Sequence, residues 1–205
     1  MSLKKSFFAL TYDRLSRKNE ELGVRALRQD LLGEAKGRVL EIGGGTGANL
    51  PFYGTAVESL VVTEPEPAML RRLQAKAREQ SPLAKILRAP AEDLPFEDAS
   101  FDTVVSTLVL CGVDDQERAL REIRRVLRPG GSLLFLEHVR SDDPDFARFQ
   151  DRLNWLNRFI VDCDCNRPTL STIKAASFTI SRLEHSAMPK APKFVRPLIV
   201  GAAVS

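Results

Sequence analysis

The segment Val39-Leu40-Glu41-Ile42-Gly43-Gly44-Gly45-Thr46-Gly47-Ala48-Asn49 constrains this chain more than any other. A mostly apolar run gives way to glycines at the point where a buried strand would hand over to a helix. Glycine carries no Cβ and tolerates positive φ. The backbone can therefore turn tightly there and press its N–H groups against a ligand, while the N-terminus of the next helix offers unpaired donors. The pattern specifies a nucleotide-binding turn.

Three readings of that turn compete. Gly43-x-Gly45-x-x-Ala48 fits the dinucleotide fingerprint, in which pyrophosphate rests on the helix dipole, and Gly43-x-Gly45-x-Gly47 fits the turn of S-adenosylmethionine methyltransferases. A tight turn with no ligand is the third, and the glycines alone do not decide.

The surrounding pattern is an alternation. Val39 to Ile42, Leu60 to Thr63, Lys85 to Arg88, Thr103 to Ser106 and Ser132 to Leu136 read as buried strands. Ala68 to Arg78 and Gln116 to Leu127 read as amphipathic helices, and Leu22, Val24, Leu27, Leu31 and Leu32 predict a helix over 20–32 ahead of the first strand. Such alternation builds an α/β fold, a parallel sheet covered on both faces with its ligands beyond the carboxyl ends of the strands. After Leu136 the rhythm changes. A polar stretch at 141–144, a helical run through Trp155 and Phe159, and Asp162-Cys163-Asp164-Cys165-Asn166 read as an insertion over the site. Trp155, Leu156 and Phe159 either pack that insertion or line an apolar cleft. Ile180 to Leu183 and Pro197 to Val204 supply two final strands. Leu127-Arg128-Pro129-Gly130-Gly131 stops a helix and turns into the fifth strand.

With 205 residues the chain suits one domain. Its boundaries are expected as an N-terminal helical lid at 1–36, a cofactor-binding core at 37–140, a substrate-side insertion at 141–178 and C-terminal strands at 179–205. The net charge is +3, with 30 Lys and Arg spread among 27 Asp and Glu, which argues against nucleic acid as a partner. No run reaches the length of a membrane span, so peripheral contact, through the basic segment Lys190 to Pro197, is the membrane association left open. Cys111, Cys163 and Cys165 form no disulfide framework, which points to a reducing compartment, the cytoplasm by default. The Cys163-x-Cys165 spacing matches no structural zinc pattern, and no metal is expected.

Glu64 ends the second strand about twenty residues past the glycine turn, where a carboxylate can accept from both hydroxyls of a ribose. Pro90-Ala91-Glu92-Asp93-Leu94-Pro95-Phe96 follows the third strand and can edge an adenine, with Leu94 and Phe96 plugged into the core.

Together, Leu-Glu-Ile-Gly-Gly-Gly-Thr-Gly at 40–47, Leu94-Pro95-Phe96 to Phe101-Asp102, and Leu127-Arg128-Pro129-Gly130-Gly131 resemble class I S-adenosylmethionine-dependent methyltransferases of the ubiquinone-methylase-like type. The resemblance implies a Rossmann-like seven-stranded sheet, mostly parallel, whose last strand is antiparallel. It selects S-adenosyl-L-methionine as cofactor, S-adenosyl-L-homocysteine as product and a small molecule as methyl acceptor. It further implies that Gly43, Gly45 and Gly47 approach the methionine end and ribose, that Glu41 fixes their loop, and that Glu64 holds the ribose hydroxyls. Ala91 and Glu92 border the adenine, Thr107 and Leu108 flank the transferred methyl, and Tyr12 belongs to a lid. Pro90 stands where the family usually has an acid. Thr107-Leu108-Val109-Leu110-Cys111, Glu137-His138-Val139 and Cys163-x-x-Asn166-Arg167-x-Thr169 look narrower still, like methyltransferase-like proteins that S-methylate small thiols. That group commonly has Gly, His and Leu at the positions of Asp162, Asp164 and Cys165, and Gly at that of Ser177.

Methyl transfer from a sulfonium is an in-line displacement, so alignment dominates. His138, after the fifth strand, is a candidate base or else a structural histidine bonded to backbone. Asp162 and Asp164 are candidates to orient the acceptor or take its proton, and Asn166 and Arg167 to lock the insertion. Quinone or phospholipid head-group methylation and non-catalytic cofactor binding are the alternatives.

Overall fold

Alternating apolar residues that can face both ways force strands to be covered on both sides. The computed structural model describes residues 17–205, so Tyr12 lies outside the described residues. Strands β1 (Gly37–Ile42), β2 (Val57–Thr63), β3 (Lys85–Leu87), β4 (Phe101–Thr107), β5 (Leu127–His138), β6 (Thr179–Ala187) and β7 (Pro197–Val204) form one sheet in the order β3-β2-β1-β4-β5-β7-β6. The first five pair in parallel, and β7 runs antiparallel to both β5 and β6. The order reverses at β1, which lies between β2 and β4, so the glycine turn sits at the switch point where such sheets open a crevice.

Helices α1 (Arg25–Leu32), α2 (Pro67–Gln80), α3 (Gln116–Val126), α4 (Pro144–Val161) and α5 (Thr169–Ala175) surround the sheet. One core gathers Leu31, Leu32, Val39, Val62, Leu73, Val105 and Leu136. The opposite core gathers Leu40, Val104, Leu120, Ile123, Leu133 and Phe135. Neighbours such as Val39 and Leu40, or Val104 and Val105, divide between the two, as the pleat requires.

Where the sequence predicts one helix over 20–32, a π turn at Glu20–Val24 with Gly23 at φ 149° precedes α1. The segment after α3 does turn sharply, with Gly130 at φ 74°, but Leu127 already pairs with Phe101, so the turn is a bulge inside β5. The chain end clamps it: the Ser205 N–H donates to the Gly131 carbonyl at 3.0 Å.

Two departures from the narrower family pattern have a backbone explanation. Asp162 (φ 56°) and Ser177 (φ 63°) are both left-handed, the conformation that favours the glycine common there.

The insertion helix α4 is inverted. It buries Ala147, Gln150 and Asn157, while Trp155 and Phe159 are 67% and 68% exposed. The buried amides hold it down. Gln150 Nε2 is shared by the carbonyls of Val139, Cys165 and Phe194 at 2.9–3.1 Å, and Asn157 Nδ2 donates to the Cys163 carbonyl at 2.7 Å. Trp155 therefore points away from the body, while Phe149 meets Phe194 edge-on. Among the described residues no helix is long and apolar enough to cross a membrane.

Two substitutions test this backbone account. Ser177→Gly relieves left-handed strain and should raise unfolding stability by about 1 kcal/mol. Gly201→Ala should lower it by roughly 1–3 kcal/mol, because the added Cβ would lie 2.2 Å from the Arg182 carbonyl oxygen. Denaturant unfolding of both variants reads the signs directly.

Candidate active site

The site begins beneath the glycine turn. Arg28, on the inner face of α1, is 3% exposed, and a buried guanidinium must find acceptors. Its Nη1 donates to Asn49 Oδ1 and Thr107 Oγ1, each at 2.9 Å, and its Nε to Glu20 Oε1 at 3.1 Å. Asn49 Nδ2 donates to Glu41 Oε1 and Thr107 Oγ1, both at 2.9 Å, and Tyr53 Oη donates to Glu41 Oε2 at 2.7 Å. One cluster thus ties α1, the end of β1, the turn after it and the end of β4. Burial pushes Glu41 up to about 7, against the opposing bonds from Tyr53 and Asn49 and the charge of Arg28.

Above this cluster Gly43, Gly45 and Gly47 all have positive φ, at 57°, 56° and 82°. Gly43 and Gly47 are also crowded: an added Cβ would meet Val109 side-chain atoms at 2.7 Å or Leu50 at 2.8 Å. Gly45 differs, since a Cβ there would meet nothing within 4 Å. Its N–H donates to Glu64 Oε2 at 2.9 Å, and the Glu66 N–H donates to Glu64 Oε1 at 2.8 Å. Glu64 is buried, so two backbone donors fix a carboxylate beside the open side of the glycine turn.

Beyond β3, Ala91 is buried, and Glu92 Oε1 accepts from the backbone N–H groups of Asp114 at 2.8 Å and Asp115 at 3.4 Å. Leu94 is buried and Phe96 meets Phe101 edge-on at 5.1 Å. Arg125 of α3 clasps the carbonyls of Leu94 and Phe96 at 2.9 and 2.7 Å, so this loop is fixed from below.

At the end of β4, Thr107 turns its hydroxyl down into the Arg28 cluster, and Leu108 adopts φ 60°. Glu137 holds the following loop. Fully buried, its carboxylate accepts from Ser106 Oγ at 2.7 Å, the Val109 N–H at 3.1 Å and the Cys111 N–H at 3.4 Å; burial raises its pKa. The left-handed Leu108 is thus set between two buried polar clusters.

The candidate proton acceptors lie farther along the edge. His138 is buried; desolvation lowers it to about 4 against hydrogen bonds to the backbone of Val195 and Pro197. It is neutral at pH 7, and its Nδ1 has no hydrogen-bond partner. Asp164 accepts from Asn154 Nδ2 at 2.7 Å through one oxygen, and from Arg158 Nη1 at 2.6 Å and Arg167 Nη2 at 2.8 Å through the other. Burial raises its pKa, but the Arg167 and Asn154 bonds prevail and hold it below the usual carboxylate range. A carboxylate so engaged is an anchor, and Arg167 extends the anchorage to the Leu110 carbonyl at 3.2 Å. Asp162, exposed, caps the carboxyl end of α4. Among the described residues no group of three or more His, Cys, Asp or Glu side chains is placed to hold a metal ion.

Sequence reasoning missed Arg28, Asn49, Tyr53 and Glu137 as site-forming residues. The signal for Arg28 was its spacing from Val24, Leu31 and Leu32, which puts a cation on the apolar face of a helix; for Glu137 it was an acid at the end of the apolar run Leu133 to Leu136.

A switch-point crevice with a glycine cradle and a backbone-fixed acid after the second strand defines an α/β protein that binds a nucleoside cofactor. The family model described as methyltransferase domain matches residues 40–135. The thiol S-methyltransferase TMT1A of Homo sapiens is 37% identical over 171 residues, 81% of this chain and 70% of that protein. The phosphatidylethanolamine N-methyltransferase of Cereibacter sphaeroides is 32% identical over 67% of this chain and 72% of its own. A crystal structure from Thermotoga maritima described as an S-adenosylmethionine-dependent methyltransferase, possible histamine N-methyltransferase, superposes with a TM-score of 0.74 at 21% identity, covering 100% of this chain and 99% of that one. The chain belongs to the class I S-adenosylmethionine-dependent methyltransferases, and S-adenosylmethionine is its cofactor.

The residues present fit that cofactor: the open face of Gly45 would be closed by a side chain, and the Glu64 carboxylate beside it suits a diol. Gly45→Arg should therefore abolish S-adenosylmethionine binding in calorimetry. The fold should survive with a stability loss of about 1–2 kcal/mol from the left-handed backbone.

Proposed function

We propose that this methyltransferase S-methylates a small lipophilic thiol. The observation that carries the reading is the 37% identity, across 81% of the chain, with a relative named as a thiol S-methyltransferase.

In this reading Gly43, Gly45 and Gly47 receive the methionine end and ribose of the cofactor, Glu64 accepts from the ribose hydroxyls, and Ala91 and Glu92 border the adenine. Glu41 supplies the negative charge under the methionine end, and Thr107 and Leu108 flank the methyl. Bound there, the cofactor supplies an electrophilic methyl on a sulfonium centre. The chain's own task is alignment and exclusion of water. The 141–178 insertion together with the 179–205 strands frames the acceptor side of the 37–140 core, while α1, within the segment expected as a lid, forms part of the floor. Asp164, with Asn166 and Arg167, anchors the insertion, and Asp162 ends its helix. A thiol of pKa about 8.5 is already a few per cent thiolate at pH 7, so no strong base is required. His138 is neutral and buried, bonded to the backbone of Val195 and Pro197, which suits a structural histidine. At a pKa of about 4 it adds little as a base. Three free cysteines suit a reducing compartment such as the cytoplasm.

S-adenosylhomocysteine release against matched thiol, amine, phenol and phospholipid acceptors tests the acceptor. Turnover is expected with thiols. Turnover restricted to phosphatidylethanolamine would refute the reading in favour of head-group methylation.

The pH dependence follows from His138 being neutral throughout. With the cofactor saturating, kcat/KM for the acceptor should climb tenfold per pH unit toward the acceptor's own pKa, with no inflection between about pH 5 and 8, and His138→Gln should keep the same profile. An inflection near neutrality that the variant loses would make His138 the base.

Glu41 gives a second signature. Its pKa of about 7 in the free protein means partial protonation at neutrality, and a cationic ligand favours the ionised form. Cofactor binding should release protons near pH 7 and weaken as pH falls below 7. Calorimetry in buffers of different ionisation enthalpy reads that release, and Glu41→Gln should remove it.

A further inference from the structure

Among the described residues, four of the eight exposed large hydrophobic side chains lie on α4. Trp155 is 67% exposed, Ile160 55% and Phe149 41%, with Phe159 on the same side. Helical spacing interleaves Arg148 and Arg152 with them, and Asp145 at the first turn pairs with Arg148. α4 is fastened to the body by the amides of Gln150 and Asn157 and by Ala147 and Leu153, and Trp155 and Ile160 lie outside that contact. A helix that buries Gln and Asn and exposes Trp and Ile presents a face that nothing among the described residues covers.

The adjoining surface is basic. Phe149 meets Phe194 edge-on at 6.2 Å, which joins α4 to the segment carrying the exposed Lys190, Lys193 and Arg196. Lys193 and Arg196, with Arg140 and His185, line an open cleft of about 740 Å³ that also contains Asp142 and Asp143. Arg140 is already paired with Asp151, and the Arg196 Nε with the Ala191 carbonyl, so Lys193 is the less committed cation.

We propose that α4 lies in the interface of an anionic phospholipid surface, with Trp155, Ile160 and Phe149 sunk to headgroup depth and Arg152, Lys190 and Lys193 on the phosphates. The mixture of aromatic and apolar side chains with arginine and lysine is that of a helix lying in a headgroup plane, too polar to span it. A second copy of the chain is disfavoured, since a two-fold contact through this face would bring Arg148 and Arg152 toward their own counterparts. Such docking would set the carboxyl end of α4, and the 163–167 loop that follows it, against the lipid from which a lipophilic acceptor would come. The inference does not depend on the acceptor's identity.

Trp155 is the only tryptophan in the chain, so its fluorescence reports on this face alone. The full chain is titrated with vesicles of phosphatidylcholine containing 30% phosphatidylglycerol, with pure phosphatidylcholine vesicles and with no lipid across protein concentrations. The expected result is a blue shift and co-sedimentation with the anionic vesicles, weakened by salt and by pure phosphatidylcholine. Ile160→Ser, which keeps the reporter, should weaken partitioning on the order of tenfold, and Arg152→Glu should weaken it on anionic vesicles. Both should leave methylation of a water-soluble acceptor unchanged. No binding to either vesicle overturns the proposal. So does a blue shift that rises with protein concentration without lipid and disappears in Ile160→Ser, which would assign the face to a second copy.

Discussion

A buried cation has to be answered, and the answer to Arg28 organises the site. Its guanidinium reaches Asn49 and Thr107, and through Asn49 it is joined to Glu41 and Tyr53. These five residues come from α1, β1, the turn after β1 and the end of β4. A charge isolated from water is costly, so each bond that satisfies it also fixes the relative position of those elements. The glycines above take their positive φ over a floor held by these bonds. Glu41, pushed up to about 7 by burial, leaves the cluster poised between a neutral and an ionised carboxyl at the place where a cationic ligand is received.

The same device recurs on the acceptor side. Glu137 ties the loop after β4 to β5, the amide of Gln150 ties α4 to the Val139 carbonyl just past β5, and that of Asn157 ties α4 to the loop that follows it. Polar groups inside an α/β core thus carry the positional information that the apolar cores on either face cannot supply, since dispersion and burial are not directional. The outward face of α4 is left with residues that a water-facing helix would not select.

The central strands were legible because they are apolar on both faces, whereas β3, read as buried, is an edge strand with Lys85 and Leu87 exposed; the glycine turn was legible because three alternate glycines mark a backbone that side chains rarely adopt. Glu64 was legible through its distance from the turn. The positions of Asp162 and Ser177 were visible as departures from a family pattern, but their cause, a left-handed backbone, emerges only from φ. Arg28 was hidden since a cation on an amphipathic helix is ordinarily solvated, and its partners are 21 and 79 residues away. Asp164 read as a possible base because sequence shows a carboxylate but not the Arg158 and Arg167 that occupy it. His138 read as titrating near neutrality because burial, which takes it to about 4, is a tertiary property. α4 read as an insertion helix with undecided aromatics; its inversion depended on which face the body's carbonyls would claim.

The central claim is that the polar floor sets the glycine turn in its binding conformation before the cofactor arrives. A crystal structure of the complex with S-adenosylhomocysteine measures this. The account predicts that residues 41–49 and 107–109 keep their backbone within about 1 Å, with the ribose hydroxyls on Glu64 and the bonds of Arg28 to Asn49 and Thr107 intact. A turn that rebuilds around the ligand, or a ribose held elsewhere with the Arg28 bonds broken, would contradict it.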